Sequence, residues 1–341
     1  MRDSLQRLCE DFVANRDVLK SKFKLENSYL YPVCASIFCA RGVRADADKL
    51  LDAKHLLKEK TGVFSNFRGS LTLPVCSMLA AKSAPERRME YAMENYKILR
   101  DQFAPSSYLA LAAFFLADMG VSGSRAQEAA ERGKRIYKRM KQEHRFLTSA
   151  EDSVFAVLMS FAEQSDDALI ADMETCYALV KQRFSGGNAA QSVSHVLALS
   201  PGAAEEKTAK FIQLYDAIRA AGGKYGKNYQ LSTLAAVSVM DMEVNEIVQD
   251  MMDVDAFLSN QKGYGFLSMD RRTRMMHAAM LVSNDCCARD AALAAVMTDT
   301  ISELASQTAV ISGTLAIIAA QQAAMCAIIA SNTAASTAAN S

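Results

Sequence analysis

Tryptophan is absent from the 341 residues, and only 5 prolines and 15 glycines interrupt them. Runs of alternating β-branched residues are missing too, which argues against a sheet. Neither sign of charge is in excess, since 38 Lys and Arg face 38 Asp and Glu. A protein that wraps nucleic acid by neutralising phosphates carries a clear positive surplus, so nucleic acid is not an expected partner. An anionic membrane surface has no bulk electrostatic pull on the chain either. None of the eight cysteines forms a CxxC pair, and the four histidines (His55, His144, His195, His277) lie away from most of them. The short paired spacing of zinc ligands is therefore lacking, and no metal site is expected. Cysteines set in apolar helical runs read instead as reduced, buried structural thiols. The phosphate-loop pattern GxxxxGK[ST] and the EF-hand spacing are both missing, so no cofactor is implied. Met1-Arg2-Asp3-Ser4 begins no apolar stretch of the secretory kind, and the cytoplasm is the expected location.

What the chain does have is helix-forming residues and internal echoes. Half of it is hydrophobic and 18 residues are methionine, and Ala, Leu, Met, Lys, Arg, Gln and Glu favour helices. Ser28-Tyr29-Leu30-Tyr31-Pro32-Val33-Cys34 returns 42 residues later as Ser70-Leu71-Thr72-Leu73-Pro74-Val75-Cys76, with Ser, Pro, Val and Cys in place. Ser107-Tyr108-Leu109 restarts the same opening, and weaker echoes begin near Asp152, Gln191, Gln230 and Thr273. Each opening leads into an apolar segment such as Leu109 to Leu116, Val154 to Phe161 or Leu234 to Val239. A short polar or Gly-containing turn and a charged, amphipathic segment follow. The latter ends alike in Tyr96-Lys97-Ile98-Leu99-Arg100-Asp101-Gln102-Phe103 and Tyr177-Ala178-Leu179-Val180-Lys181-Gln182-Arg183-Phe184. One helix pair cannot bury its apolar stripe alone, whereas stacked neighbours can. The fold class read from this is all-α, an array of about seven helix-pair repeats of roughly 40 residues. An open α-solenoid (an α/α superhelix) is preferred, and a closed α/α toroid with a central pit is the alternative.

Three segments follow from this pattern. Residues 1–27 hold an amphipathic helix (Leu5, Leu8, Cys9, Phe12, Val13) expected to cap the array. Residues 28–303 are the repeats. Residues 304–341 carry no charge and form an Ala-rich C-terminal helix with a disordered tail. Residues 309–330 are about long enough to cross a bilayer, but Ser312-Gly313-Thr314 and Gln321-Gln322 interrupt them. Membrane attachment there is disfavoured without being ruled out.

The turns before each apolar helix share a glycine, an aromatic and a cation. Turns of one type lie along one edge of a helical array, so they define a candidate binding rim for an anionic ligand or peptide: Asn66, Arg68, Lys224, Tyr225, Lys227, Lys262 and Tyr264. The competing reading is structural, because glycine after a helix is an ordinary cap and cations complement a helix C-terminus. Other clusters read as structure. His195 and His277 fall in apolar helices with no nucleophile or orienting carboxylate beside them. Cys286-Cys287 has no adjacent His or basic cluster to activate a thiol. The acids from Asp241 to Asp255 read as a solvated helix face, and the methionines from Met240 to Met280 as an adaptable core. No catalytic residue is assigned.

Lys24-Leu25-Glu26-Asn27-Ser28, Thr61-Gly62-Val63-Phe64-Ser65-Asn66-Phe67-Arg68-Gly69, Lys262-Gly263-Tyr264-Gly265 and Asp270-Arg271-Arg272-Thr273-Arg274 resemble an uncharacterised bacterial family, domain-of-unknown-function family 4003. The resemblance covers roughly residues 5–300 and leaves the Ala-rich tail outside. It implies a cytoplasmic bacterial protein and brings no activity, ligand or site residue with it. The expected function is a non-enzymatic binding or scaffold protein with a peptide or protein ligand. The alternatives are a toroid enzyme with a central active site and an adaptor tethered to membrane through its C-terminal helix. The oligomeric state is not legible in the sequence.

Overall fold

The computed structural model describes residues 1–265 and 269–297, with side chains as far as residue 291. Among the described residues there are fourteen α-helices, one 3₁₀ turn and no strand. The chain divides into two compact units. One takes Ala14–Ile170, the other Met1–Val13 with the described residues from Ala171 onward. Both divisions fall inside helices, α1 (Asp3–Lys22) and α9 (Asp166–Arg183).

In the 14–170 unit, short apolar helices alternate with longer charged ones. The short set is α2 (Leu30–Cys39), α4 (Thr72–Ala80, entered by the 3₁₀ turn Gly69–Leu71), α6 (Ser107–Asp118) and α8 (Asp152–Met159). All ten residues of α2 and all eight of α8 are buried, so these helices are covered on every side. The longer set is α3 (Ala47–Lys60), α5 (Pro85–Arg100) and α7 (Gly123–Glu143), each burying a single stripe. In α5 that stripe is Arg88, Met89, Ala92, Asn95 and Leu99, at helical spacing. α2 packs on α4 and α6 on α8, while α3 packs on α5 and α5 on α7.

Local chemistry places the helix starts. Ser106 accepts from the Leu109 amide at 3.0 Å to open α6, and Asp46 accepts from Asp48 and Lys49 to open α3. Pro32, Pro74 and Pro85 all stand in first turns, where a missing N–H costs nothing.

The other unit repeats the alternation with α10 (Gly187–Ala198) and α12 (Leu231–Ser238) as buried helices. α11 (Ala204–Ala220) and α13 (Val244–Ser259) are the charged ones, and α14 (Arg271–Met297) packs on both α12 and α13. Residues 1–13 join this unit through Leu5, Cys9 and Phe12, all fully buried. Phe12 lies 6.0 Å from the His277 ring of α14.

Side chains of the charged helices reach carbonyls in the last turn of a buried helix or in the turn just beyond its end. Arg88 donates to Met78 O at 2.6 Å, Asn95 to Val121 O at 2.9 Å, and Lys210 to Met240 O at 2.8 Å. Lys207 donates to Ser200 O at 3.0 Å and pairs with Asp172 at 2.8 Å. Arg132 serves three carbonyls, Ser160 O at 3.0 Å, Ala162 O at 2.6 Å and Gln164 O, and pairs with Asp166. A cation there also meets the negative end of the helix dipole.

Candidate functional site

The seven residues expected to form a rim divide between the units. Asn66 and Arg68 belong to the 14–170 unit and the other five to its counterpart. Lys224, Lys227 and Lys262 are exposed. The aromatics are not. Tyr225 and Tyr264 are 4% and 1% exposed, and their hydroxyls are engaged inside, with Thr233 Oγ1 at 2.6 Å and His277 Nδ1 at 2.9 Å. Asn66 is half-buried and donates to the Tyr96 hydroxyl at 2.6 Å, while Arg68 closes its own turn on Thr61 O at 3.2 Å.

These are instances of one packing device. Phe23, Phe67, Phe103 and Phe184 stand where a charged helix gives way to a buried one, and all are buried. Phe67 meets Tyr96 at 5.1 Å, Phe103 meets Tyr137 at 5.7 Å and Phe184 meets Tyr215 at 4.9 Å, all edge to face. Lys54, Lys134 and Arg183 cover the faces of Phe23, Phe103 and Phe184 at 4.9 to 5.7 Å. These phenylalanines thus serve contacts between helices, while Lys224, Lys227 and Lys262 stay exposed.

The exposed apolar residues are different ones, and sequence reasoning passed over them. Leu25 and Phe64 are 101% exposed, Phe146 96% and Val63 76%. All four sit on turns leading from a charged helix into a buried one: α1 to α2, α3 to α4 and α7 to α8. In an array of helix pairs, turns of this kind would fall along one edge. Lys24 and Arg145 are exposed on the same turns. Exposed Lys58, Lys97, Arg100 and Lys141 end the helices behind them, with exposed Glu59, Asp101 and Glu143 interleaved. Single exposed apolar side chains need no explanation, but four on turns of one kind call for one.

The remaining clusters hold the chain together. The acids of α13 are not simply solvated, which corrects the reading from sequence. Asp255 is 4% exposed and bound by Arg271 at 3.0 Å and Arg274 at 2.5 Å. Asp250 lies 2.6 Å from Arg2, which also meets Glu246 and Asp285. His195 and His277 are fully buried, and most of the clustered methionines are buried. Burial pushes the Cys286 thiol up to about 12 and the Cys287 thiol up to about 11, away from the reactive thiolate. A groove of about 360 Å³ between α9 and α11 is lined largely by Leu179, Ala209 and Ile212, with Arg183 and Glu205. Among the described residues no group of three or more His, Cys, Asp or Glu is placed to hold a metal ion, and no helix is long and apolar enough to cross a membrane. Residues 304–341, with the possible anchor at 309–330, lie outside the described residues.

No solved structure matches the chain. An uncharacterized protein, YeaA, of Bacillus subtilis (strain 168) is 25% identical over 227 residues, covering 65% of this chain and 68% of that protein. Residues 15–323 match the family DUF4003, described as a protein of unknown function. The match begins later than the motifs suggest and takes in the first part of the charge-free C-terminal segment. The chain belongs to the DUF4003 family.

Proposed function

We propose that the chain is a non-enzymatic binding or scaffold protein of the helical-repeat kind, and that it engages a protein ligand through the turn edge of its 14–170 unit. The observation that carries this is the exposure of Leu25, Val63, Phe64 and Phe146 on turns of one kind, in a unit where Phe23, Phe67 and Phe103 of such turns are sealed inside. An array of about seven helix pairs is part of the proposal. Three things support it: the alternation of covered and half-exposed helices in each unit, the neighbour-supplied caps, and the repeated aromatic joints. A cytoplasmic location goes with it, supported by seven free cysteines among the described residues, six of them buried.

The ligand's chemistry follows from the edge. Burying one Phe side chain contributes about 1.5–3 kcal/mol, so the tips are anchors for apolar pockets or patches. Cations and carboxylates are mixed between them, which suits a protein surface able to pair both signs better than a uniformly anionic bilayer.

Photo-crosslinking in the native cell tests this. A benzophenone amino acid at position 64 or 146 should capture the same protein, while one at exposed position 135 should not. The pair Phe64→Ser and Phe146→Ser should weaken that complex by about tenfold or more per residue without moving the melting temperature, since neither ring touches the core. Capture of lipid, or different captures at the two positions, would remove the reading.

A further inference from the structure

The opposite edge of the 14–170 unit, where α2, α4 and α6 end, gathers a surplus of positive charge. Arg41, just past α2, donates through Nη2 to one oxygen of Asp118, the last residue of α6. Arg88 of α5 meets the other Asp118 oxygen through Nη2, and its Nη1 donates to Met78 O at 2.6 Å. Lys82, just past α4, donates to the Asp118 carbonyl at 3.1 Å. Three segments of chain thus bring three cations to Asp118, two to its carboxylate and one to its backbone carbonyl, and the side chains of Arg41, Arg88 and Asp118 are only 19%, 10% and 11% exposed.

The charges do not cancel. Three positive groups face one negative group, an excess of two. The negative ends of the three helices answer part of it, about half a charge each, and these are the carbonyls that Arg88 and Lys82 already serve. Arg41 Nη1 is buried with no acceptor among the described residues. Neither the Asp118 carboxylate nor a helix end reaches that donor. Burial, reinforced by Arg41 and Arg88, holds the Lys82 ammonium down to about 8. The group is thus a polar cluster with a donor to spare and negative charge lacking.

We propose that Arg41, Lys82 and Arg88, arranged around Asp118, bind a phosphate group, carried either by the free ion or by a phosphomonoester. A tetrahedral dianion would supply both missing charges and give Arg41 Nη1 its acceptor. Guanidinium groups match such oxygens in pairs, and a flexible lysine adds a point charge. The site stands apart from the turn edge, so either proposal can fail without the other.

Equilibrium dialysis of the full chain against labelled inorganic phosphate, and separately against phosphoserine, tests it at constant ionic strength with chloride as the control anion. Wild type is expected to bind one equivalent, and its melting temperature to rise by several degrees in saturating phosphate. Lys82→Met and Arg41→Met should each weaken binding by about tenfold or more. Arg41→Met should melt no lower than wild type in chloride, because it removes a surplus like charge and leaves Arg88 on Asp118. Binding of either probe with this dependence supports the site, and phosphoserine binding identifies the monoester as an acceptable source. No saturable binding, or binding unchanged in both variants, overturns it.

Discussion

Gly133 stands in the middle of α7, where glycine costs a helix roughly 0.5–1 kcal/mol relative to alanine. Its reason is the approach of α8. A β-carbon there would lie 3.1 Å from Ala156 O and 3.3 Å from Val157 Cα, backbone atoms that move only if the helix moves. Propensity and contact oppose each other, and contact should win. Gly133→Ala is expected to lose about 1–2 kcal/mol in a urea titration. Gly62→Ala, with open space around it, should stay within about 0.5 kcal/mol; a stabilised Gly133→Ala would mean that the helices are farther apart. Asp152, at the start of α8, makes a second prediction. Burial, with Glu151 adding, pushes its carboxyl up to about 7 from the usual 3.8, against the Ser149 amide that donates to it at 2.6 Å. An acid harder to ionise folded than unfolded takes up a proton on folding, so stability should fall as the pH rises from about 4 to about 7 and level off above that. One such group contributes at most about 1.4 kcal/mol per pH unit. Asp152→Asn keeps the acceptor oxygen and should flatten that slope, gaining on wild type at pH 8 but not at pH 4. If the slope survives the substitution, the proton belongs to another group.

Among the helices, a charged one supplies the donor that lets a buried one end inside the protein. Arg132 is the fullest case, with three carbonyls and Asp166 on one guanidinium. Arg132→Ala strands those acceptors, and a loss of about 2–4 kcal/mol is expected. Arg135 also meets Asp166 but is 60% exposed, so Arg135→Ala should cost less than about 0.5 kcal/mol. Equal losses in thermal or urea unfolding would refute the capping role. Which helices are buried was legible in the sequence, because Leu109 to Leu116 and Val154 to Met159 are apolar on every side and covered on every side. The caps were not legible, since Arg132 and Lys207 sit in charged runs that read as solvated surface. The turn edge shows the same limit more sharply. Phe64 and Phe67 share one turn, yet one is fully exposed and the other 3% exposed. What separates them is the packing of Phe67 on Tyr96 of α5 and Phe114 of α6, and periodicity carries no trace of those partners.

For the chain as a whole, the association least legible in the sequence is that of residues 1–13 with α13 and α14. Leu5, Cys9 and Phe12 mark the apolar stripe plainly, but nothing in it names a partner some 240 residues away. The structure supplies a polar key beside the stripe. Arg2 lies 2.6 Å from Glu246, 2.6 Å from Asp250 and 3.1 Å from Asp285, and both aspartates are buried, their side chains 7% and 4% exposed. Burial, more than any other influence, raises the Asp250 carboxyl above its usual range even with Arg2 beside it. Removing Arg2 therefore leaves Asp250 buried without its cation, while Asp285 retains Arg289 at 3.3 Å. Breaking one side of a buried pair costs about 3–5 kcal/mol; Arg2 is itself 31% exposed, and solvent screening brings the expected loss for Arg2→Ala nearer 2 kcal/mol. The loss should be largest near neutral pH, where Asp250 is ionised in both states, and should shrink as acid protonates it. Arg2→Lys keeps the charge but not the fork that reaches several carboxylates at once, and should fall between wild type and Arg2→Ala. Urea titrations of the three proteins from pH 4.5 to pH 7.5 decide the matter. A deficit in Arg2→Ala that does not change with pH would mean that Arg2 contributes packing alone, and that the buried carboxylates draw nothing from it.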